Sequence, residues 1–304
     1  MQEVRLGKLA MLKKYSFEQR VFLFAFVLVI YVLPQYLVAK ETIQWLWFEQ
    51  APYFIGKSPR VGKGVGDELT RYYQDNLPEY EHQNIRVNAI RYNSMIKKDN
   101  VCVPVAWLTD NERHYLIQTR PHALEPPAGI YIHKRKQRQF GAQGNVLSMR
   151  KLLKNKQLKL GALRGMEYSK DADQLLTLYE GHQNLILIDA PMVEISLGLL
   201  RLQRLDYLLG LPVQRKTLID TASADSYLFY NVREITKYLP MYSHCSKSIT
   251  GREIIQKLNE LLTTNRLMES IEHYESWYDG DESFRKIFLD YIVHGISHPL
   301  VTDM

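Results

Sequence analysis

The feature that most constrains this chain is an alternation near its start. Strand-like apolar runs at 42–48 (TIQWLWF), 85–89 and 101–108 (VCVPVAWL) are separated by segments of helical period. From Asp67 the apolar positions Leu69, Tyr73 and Leu77 recur every fourth residue until Pro78 closes the run, and a short helix is expected at 93–98. Strands alternating with helices require crossover connections, so they call for a parallel sheet covered on both faces. Ligands of such sheets lie beyond the carboxyl ends of the strands. The third run ends in this way: residues 101–121, VCVPVAWLTDNERHYLIQTRP, read as a buried strand that empties into a polar elbow carrying Arg113.

The pattern restarts further on. Helices are expected at 147–155, 171–179 and 193–202, and strands at 158–163, 185–188 and 207–209. Strands at 226–230 and 239–245 follow, then helices at 250–262, 266–278 and 284–293, the first opened by Thr250-Gly251-Arg252-Glu253 as a capping box. Between 122 and 144 the periodicity breaks at Pro126-Pro127, Gly129 and the basic run 133–138 (HKRKQR), which reads as a solvated loop or strand edge. At 304 residues and 46% hydrophobic, the chain is long enough for two lobes, each with its own core.

The formal charge of +6 raises the question of a nucleic-acid partner. Residues 1–40 hold six basic side chains against two acidic ones, so four of the six net charges lie there, and no nucleic acid is expected. They flank thirteen apolar residues at 21–33 (VFLFAFVLVIYVL), followed by Pro34 and Ala39. A positive flank, a short apolar run and a small residue describe a signal peptide removed at 1–39, with export to the periplasm. An uncleaved anchor is the competing reading and would be the chain's only membrane contact. Export makes Cys102 and Cys245 candidates for one disulfide; two buried free thiols are the alternative.

These residues resemble a known family, the bilobed periplasmic solute-binding proteins related to polar amino-acid receptors of ABC importers, called extracellular solute-binding protein family three. The likeness rests on TIQWLWFEQAPYF, GKGVGDELTRYYQDNLP and VPVAWLTDNERHYLIQTRP, then LKLGALRGMEY and LQRLDYLLGLP, in matching order from about Glu41 to the terminal helices. It looks closest to a divergent branch. The resemblance implies an α/β, bilobed periplasmic-binding-protein type II fold of two doubly wound lobes joined by a two-strand hinge. Lobe 1 would comprise 41–121 plus 215–304, and lobe 2 residues 122–214. It also implies a small-molecule solute, an ABC permease as partner and a monomer.

Arg113 matches the family arginine that grips a ligand carboxylate, a task suited to a planar fork of donors. The family's stacking aromatic falls on Gln50, leaving Trp47, Phe54 and, as the preferred cleft residue, Tyr53 nearby. In the second lobe Gly165, Met166 and Glu167 occupy a turn where the family carries glycine with threonine or serine. The family aspartate that pairs with a ligand ammonium is replaced by Leu211. Without that carboxylate an α-ammonium would be buried unpaired, and Arg91 with Arg113 points instead to an acidic or carboxylated solute.

Enzymatic readings are weaker. The Gly62, Gly64, Gly66 run lacks the order of a phosphate loop, and His294 with His298 lacks the helix and glutamate of a zinc motif. Neither cofactor nor metal is expected. The function expected is capture of a solute by hinge closure without chemistry; the alternative is a ligand-sensing or scaffold protein of the same fold.

Overall fold

The computed structural model describes residues 40–50, 53–56, 61–109, 111–189, 193–214, 226–275 and 282–301. The segment 1–39, where a signal peptide is expected, lies outside these, as do Ala51-Pro52, Asp110 and residues 276–281. Thr42–Met304 form one compact unit. Its described strands are β1 (Thr42–Trp47), β2 (Glu81–Arg86), β3 (Val101–Ala106), β4 (Leu116–Gln118), β5 (Ala123–Glu125), β6 (Gly129–His133), β7 (Leu160–Leu163), β8 (Leu185–Ile188), β9 (Tyr207–Gly210), β10 (Tyr227–Asn231) and β11 (Leu239–Ser246). The helices are α1 (Val65–Asn76), α2 (Ala89–Met95), α3 (Gln137–Phe140), α4 (Met149–Lys154), α5 (Lys170–Tyr179), α6 (Val193–Arg201), α7 (Ile249–Leu261), α8 (Thr264–Glu275) and α9 (Glu282–Phe288).

The strands build two sheets. One has the order β2-β1-β3-β11-β4, with β5 on the start of β11; the other has the order β10-β6-β9-β7-β8. In each, a parallel trio (β2-β1-β3 and β8-β7-β9) is flanked by antiparallel strands. The chain crosses between sheets twice. It leaves through β5 and Pro126-Pro127 and returns into β11, where Leu239 pairs with Glu125 and Met241 with Ala123. That antiparallel pair is the two-strand hinge. Register fixes which ends face it: Ala106 at the end of β3 lies opposite Tyr242, and Gly210 at the end of β9 lies opposite Gly129. Both parallel trios therefore end on the hinge side.

Local chemistry accounts for the first lobe. Helix α1 is opened by Asp67, whose carboxylate accepts the N–H groups of Gly64 at 2.9 Å and Ile55 at 3.0 Å. Its Tyr73 stacks on Trp45 of β1 at 5.8 Å between centroids. Gly66 is required by a close approach, since a Cβ there would meet the Phe54 ring at 2.5 Å. Cys102 and Cys245, opposite one another on β3 and β11, form a disulfide.

Several expected elements sit elsewhere. The second strand is Glu81–Arg86 rather than 85–89, because it is an edge strand whose mostly polar sequence, EHQNIR, hides it. Helix α2 starts at 89, where the Asn88 side chain accepts the Arg91 N–H. The helix expected at 250–262 begins one residue earlier, capped by Ser248, whose hydroxyl accepts Gly251 N–H at 2.9 Å; Thr250 is not its cap. The segment 122–144 holds β5 and β6, short and buried, with a helical turn over the basic run. The assignment of everything after 214 to lobe 1 is corrected at β10: it pairs with β6 from Tyr227↔His133 to Asn231↔Gly129, so the chain returns to the first sheet only at 239.

Candidate functional site

On the first lobe the end of β1 turns sharply, with Gln50 and Phe54 exchanging backbone hydrogen bonds of 3.1 and 2.9 Å. Trp47 is half-buried against Phe54, with the Arg86 guanidinium 5.7 Å from its ring centroid and Arg86 paired to Glu49. The Trp47 ring turns to the α1 face, where with Trp45, Phe54, Asp67, Arg71 and Asn84 it lines a groove of about 400 Å³. Tyr53 is 3% exposed, and its hydroxyl donates to Glu125, a fully buried carboxylate on the hinge strand β5. The Tyr53 carbonyl accepts the Gly66 N–H at 2.8 Å. Its ring therefore ties loop, helix and hinge together instead of presenting a face to the cleft.

The elbow after β3 closes on itself. Thr109 donates both its N–H and its hydroxyl to one oxygen of Glu112, each at 2.8 Å, and its carbonyl accepts the N–H groups of Glu112 and Arg113. Glu112 thus caps the turn that carries Arg113, which is half-buried; the Arg113 carbonyl accepts Lys247 Nζ. Beneath the elbow lies His244, fully buried, with Nε2 2.9 Å from the Ala106 carbonyl. Burial first, and the Arg113 charge besides, push its pKa down to about 4. On the hinge side His122 is 3.1 Å from the Ser243 hydroxyl, and burial, with a contribution from His244, pushes its pKa down to about 3. Arg91 is exposed on α2 and donates to the Arg86 carbonyl at the end of β2 at 3.4 Å, while the next residue, Tyr92, packs in one cluster with Leu108 and Leu116 and reaches Glu112, so α2 lies against the elbow that carries Arg113.

On the second lobe β7 ends in Arg164, Gly165, Met166 and Glu167. Gly165 takes a left-handed conformation, φ +75°, and reverses the chain towards Ser169, the cap of α5. Met166 packs on the core and Glu167 is exposed. Arg164, which sequence reasoning passed over, binds Asp189 at 2.6 Å and Glu180 at 3.0 Å. The signal for it was present: it is a cation at the carboxyl end of a buried strand, the same position that drew attention to Arg113. Leu211 is buried, its N–H held by Gln214 at 3.1 Å and its carbonyl by Tyr131 at 3.0 Å.

Solved structures with this geometry are periplasmic binding proteins and related sensor domains. An amino-acid ABC transporter substrate-binding protein, AbpA from Streptococcus pneumoniae, bound to L-arginine, superposes with a TM-score of 0.54 at 15% identity, over 81% of this chain and 94% of that one. A histidine kinase sensor domain with similarity to periplasmic binding proteins gives 0.55 at 15%, over 83% and 96%. The periplasmic VFT2 domain of Bordetella pertussis BvgS gives 0.51 at 11%, over 81% and 93%. No protein-family model matches the chain, and no curated protein does. The chain has the bilobed periplasmic-binding-protein fold, at 11–15% sequence identity to these three structures.

Proposed function

We propose that this chain is an exported binding protein that captures a small carboxylated or acidic solute between two lobes by hinge closure, without chemistry. The observation that carries the reading is the hinge: one antiparallel pair, β5 with β11, joins two sheets whose parallel strands end beside it. Residues 42–125 and 239–301 make one lobe and 129–235 the other. Arg113 grips the carboxylate from the first lobe. Gln50 and the edge of Trp47 flank it, and the turn of Gly165, Met166 and Glu167 closes from the second, with Arg164 beside it. Tyr53 positions the β1 loop against Glu125 rather than touching the solute, and Arg91 adds positive charge from α2, at the end of β2. An apolar residue at Leu211 disfavours a free α-ammonium at that position.

In this reading residues 1–39 direct export, the folded part works in the periplasm as a monomer, and a permease receives the solute. A sensing role is the second reading, favoured by the likeness to a histidine kinase sensor domain. The test is a melting-temperature screen of residues 40–304 against carboxylated metabolites. A ligand at a hundredfold its Kd stabilises by about 2.7 kcal/mol, or roughly 5–10 °C for a chain of this size. A screen that moves nothing contradicts solute capture.

A further inference from the structure

The end of the second lobe opposite the hinge gathers three segments that are far apart in sequence. These are 133–140 after β6, 154–160 before β7 and 200–207 before β9. They meet because Ile132 pairs with Tyr207 and Leu160 with Tyr207, and because Arg135 donates to the Arg201 carbonyl at 2.9 Å. Together they hold nine Lys and Arg side chains and one carboxylate, Asp206. Asp206 is consumed within the fold: it pairs with Lys136 and accepts the Lys159 N–H at 2.7 Å. Eight of the nine cations are exposed, Lys136 being the exception. The local excess exceeds the +6 of the whole chain. Among these cations, between Arg201 and Arg204 in sequence, Leu202 is 61% exposed.

We propose that this end of lobe 2 docks on the surface of an anionic phospholipid bilayer. The inference is independent of solute capture and adds a membrane contact beyond the apolar N-terminal run. Clustered cations around a protruding aliphatic side chain suit a headgroup layer, with charge attracted to phosphate and Leu202 entering the interface. Nucleic-acid surfaces combine cations with rings free to stack on bases. Of the rings here, Phe140 and Tyr207 are buried, and His133 packs edge-on against Tyr227 of β10 at 5.5 Å. The position suits the protein's other task, because the tip lies at the amino ends of β7 and β9 while the cleft lies at their carboxyl ends.

The test is co-sedimentation of residues 40–304 with vesicles of phosphatidylcholine alone or mixed with phosphatidylglycerol, at about 0.1 M salt. Binding is expected only to the anionic vesicles and is lost at high salt. Each neutralised surface cation should weaken it roughly fivefold, so K134Q/R138Q/R204Q should lose about a hundredfold while melting like the wild type. Leu202→Ser should weaken it severalfold with the charge intact. Equal binding to both vesicles, no binding to the anionic ones, or an unaffected triple variant would overturn the proposal. So would retention on single-stranded DNA without vesicle binding.

Discussion

Arg113 and Glu112 are neighbours in sequence, but the fold gives them different work. Glu112 turns inward to both donors of Thr109 and holds the elbow, and Arg113 is carried on its rim. Substituting them should separate the two roles. Arg113→Ala should abolish any solute-dependent melting shift and leave the unliganded melt within about 4 °C, because a half-buried charge at the rim of a cleft contributes about 1 kcal/mol. A large fall in the unliganded melt would make Arg113 structural. Glu112→Ala should lower the unliganded melt as well, since it strands two donors at about 1–3 kcal/mol. The buried histidines set a second expectation. With folded pKa values near 3 for His122 and near 4 for His244, and an unfolded value near 6.5, the unfolded chain binds more protons below pH 6.5. Their contribution to stability is therefore complete above about pH 6.5 and is lost as pH falls towards 4. Urea midpoints measured from pH 7.5 to 4 should drop across that window, and His122→Gln should flatten the drop; a wild-type midpoint independent of pH would show the histidines to be accessible to protons in the folded state.

Among the elements, β11 does the most joining. It returns the chain from lobe 2, pairs with β3, β4 and β5, and carries Cys245 opposite Cys102, 143 residues apart in sequence. Closing a loop of that length restricts the unfolded chain by up to about 5 kcal/mol. The double variant C102A/C245A should lower the urea midpoint accordingly, and intact mass before and after reduction should differ by two hydrogens; an unchanged mass would leave two thiols. Elements with a strong apolar pattern were legible in the sequence: β3 and β9, buried along almost their whole length, appear as apolar runs, and α1 shows the four-residue period of its buried face. Strand β2 was displaced because an edge strand can be polar, and β5 and β6 were hidden by the prolines between them. The partner of β10 could not be read at all, since pairing Tyr227 with His133 is a choice made across 94 residues of chain. The site divides in the same way. The Arg113 elbow is local and was legible, while the burial of Tyr53 on Glu125, 72 residues away, was not.

At the scale of the whole molecule, two α/β lobes hang on one pair of hinge strands, which is a construction for opening and closing. The fold carries that much by itself, and the proposed solute rests on the chemistry of a few side chains at the strand ends. Closure should bring the turn after β7 towards the Arg113 elbow and shorten the molecule. Small-angle scattering of residues 40–304 tests this most directly, with and without a pool of carboxylated metabolites at millimolar concentration. The account predicts a smaller radius of gyration with the pool, and no change with the same pool for Arg113→Ala. A radius of gyration unchanged by the pool in the wild-type protein would contradict solute capture by hinge closure.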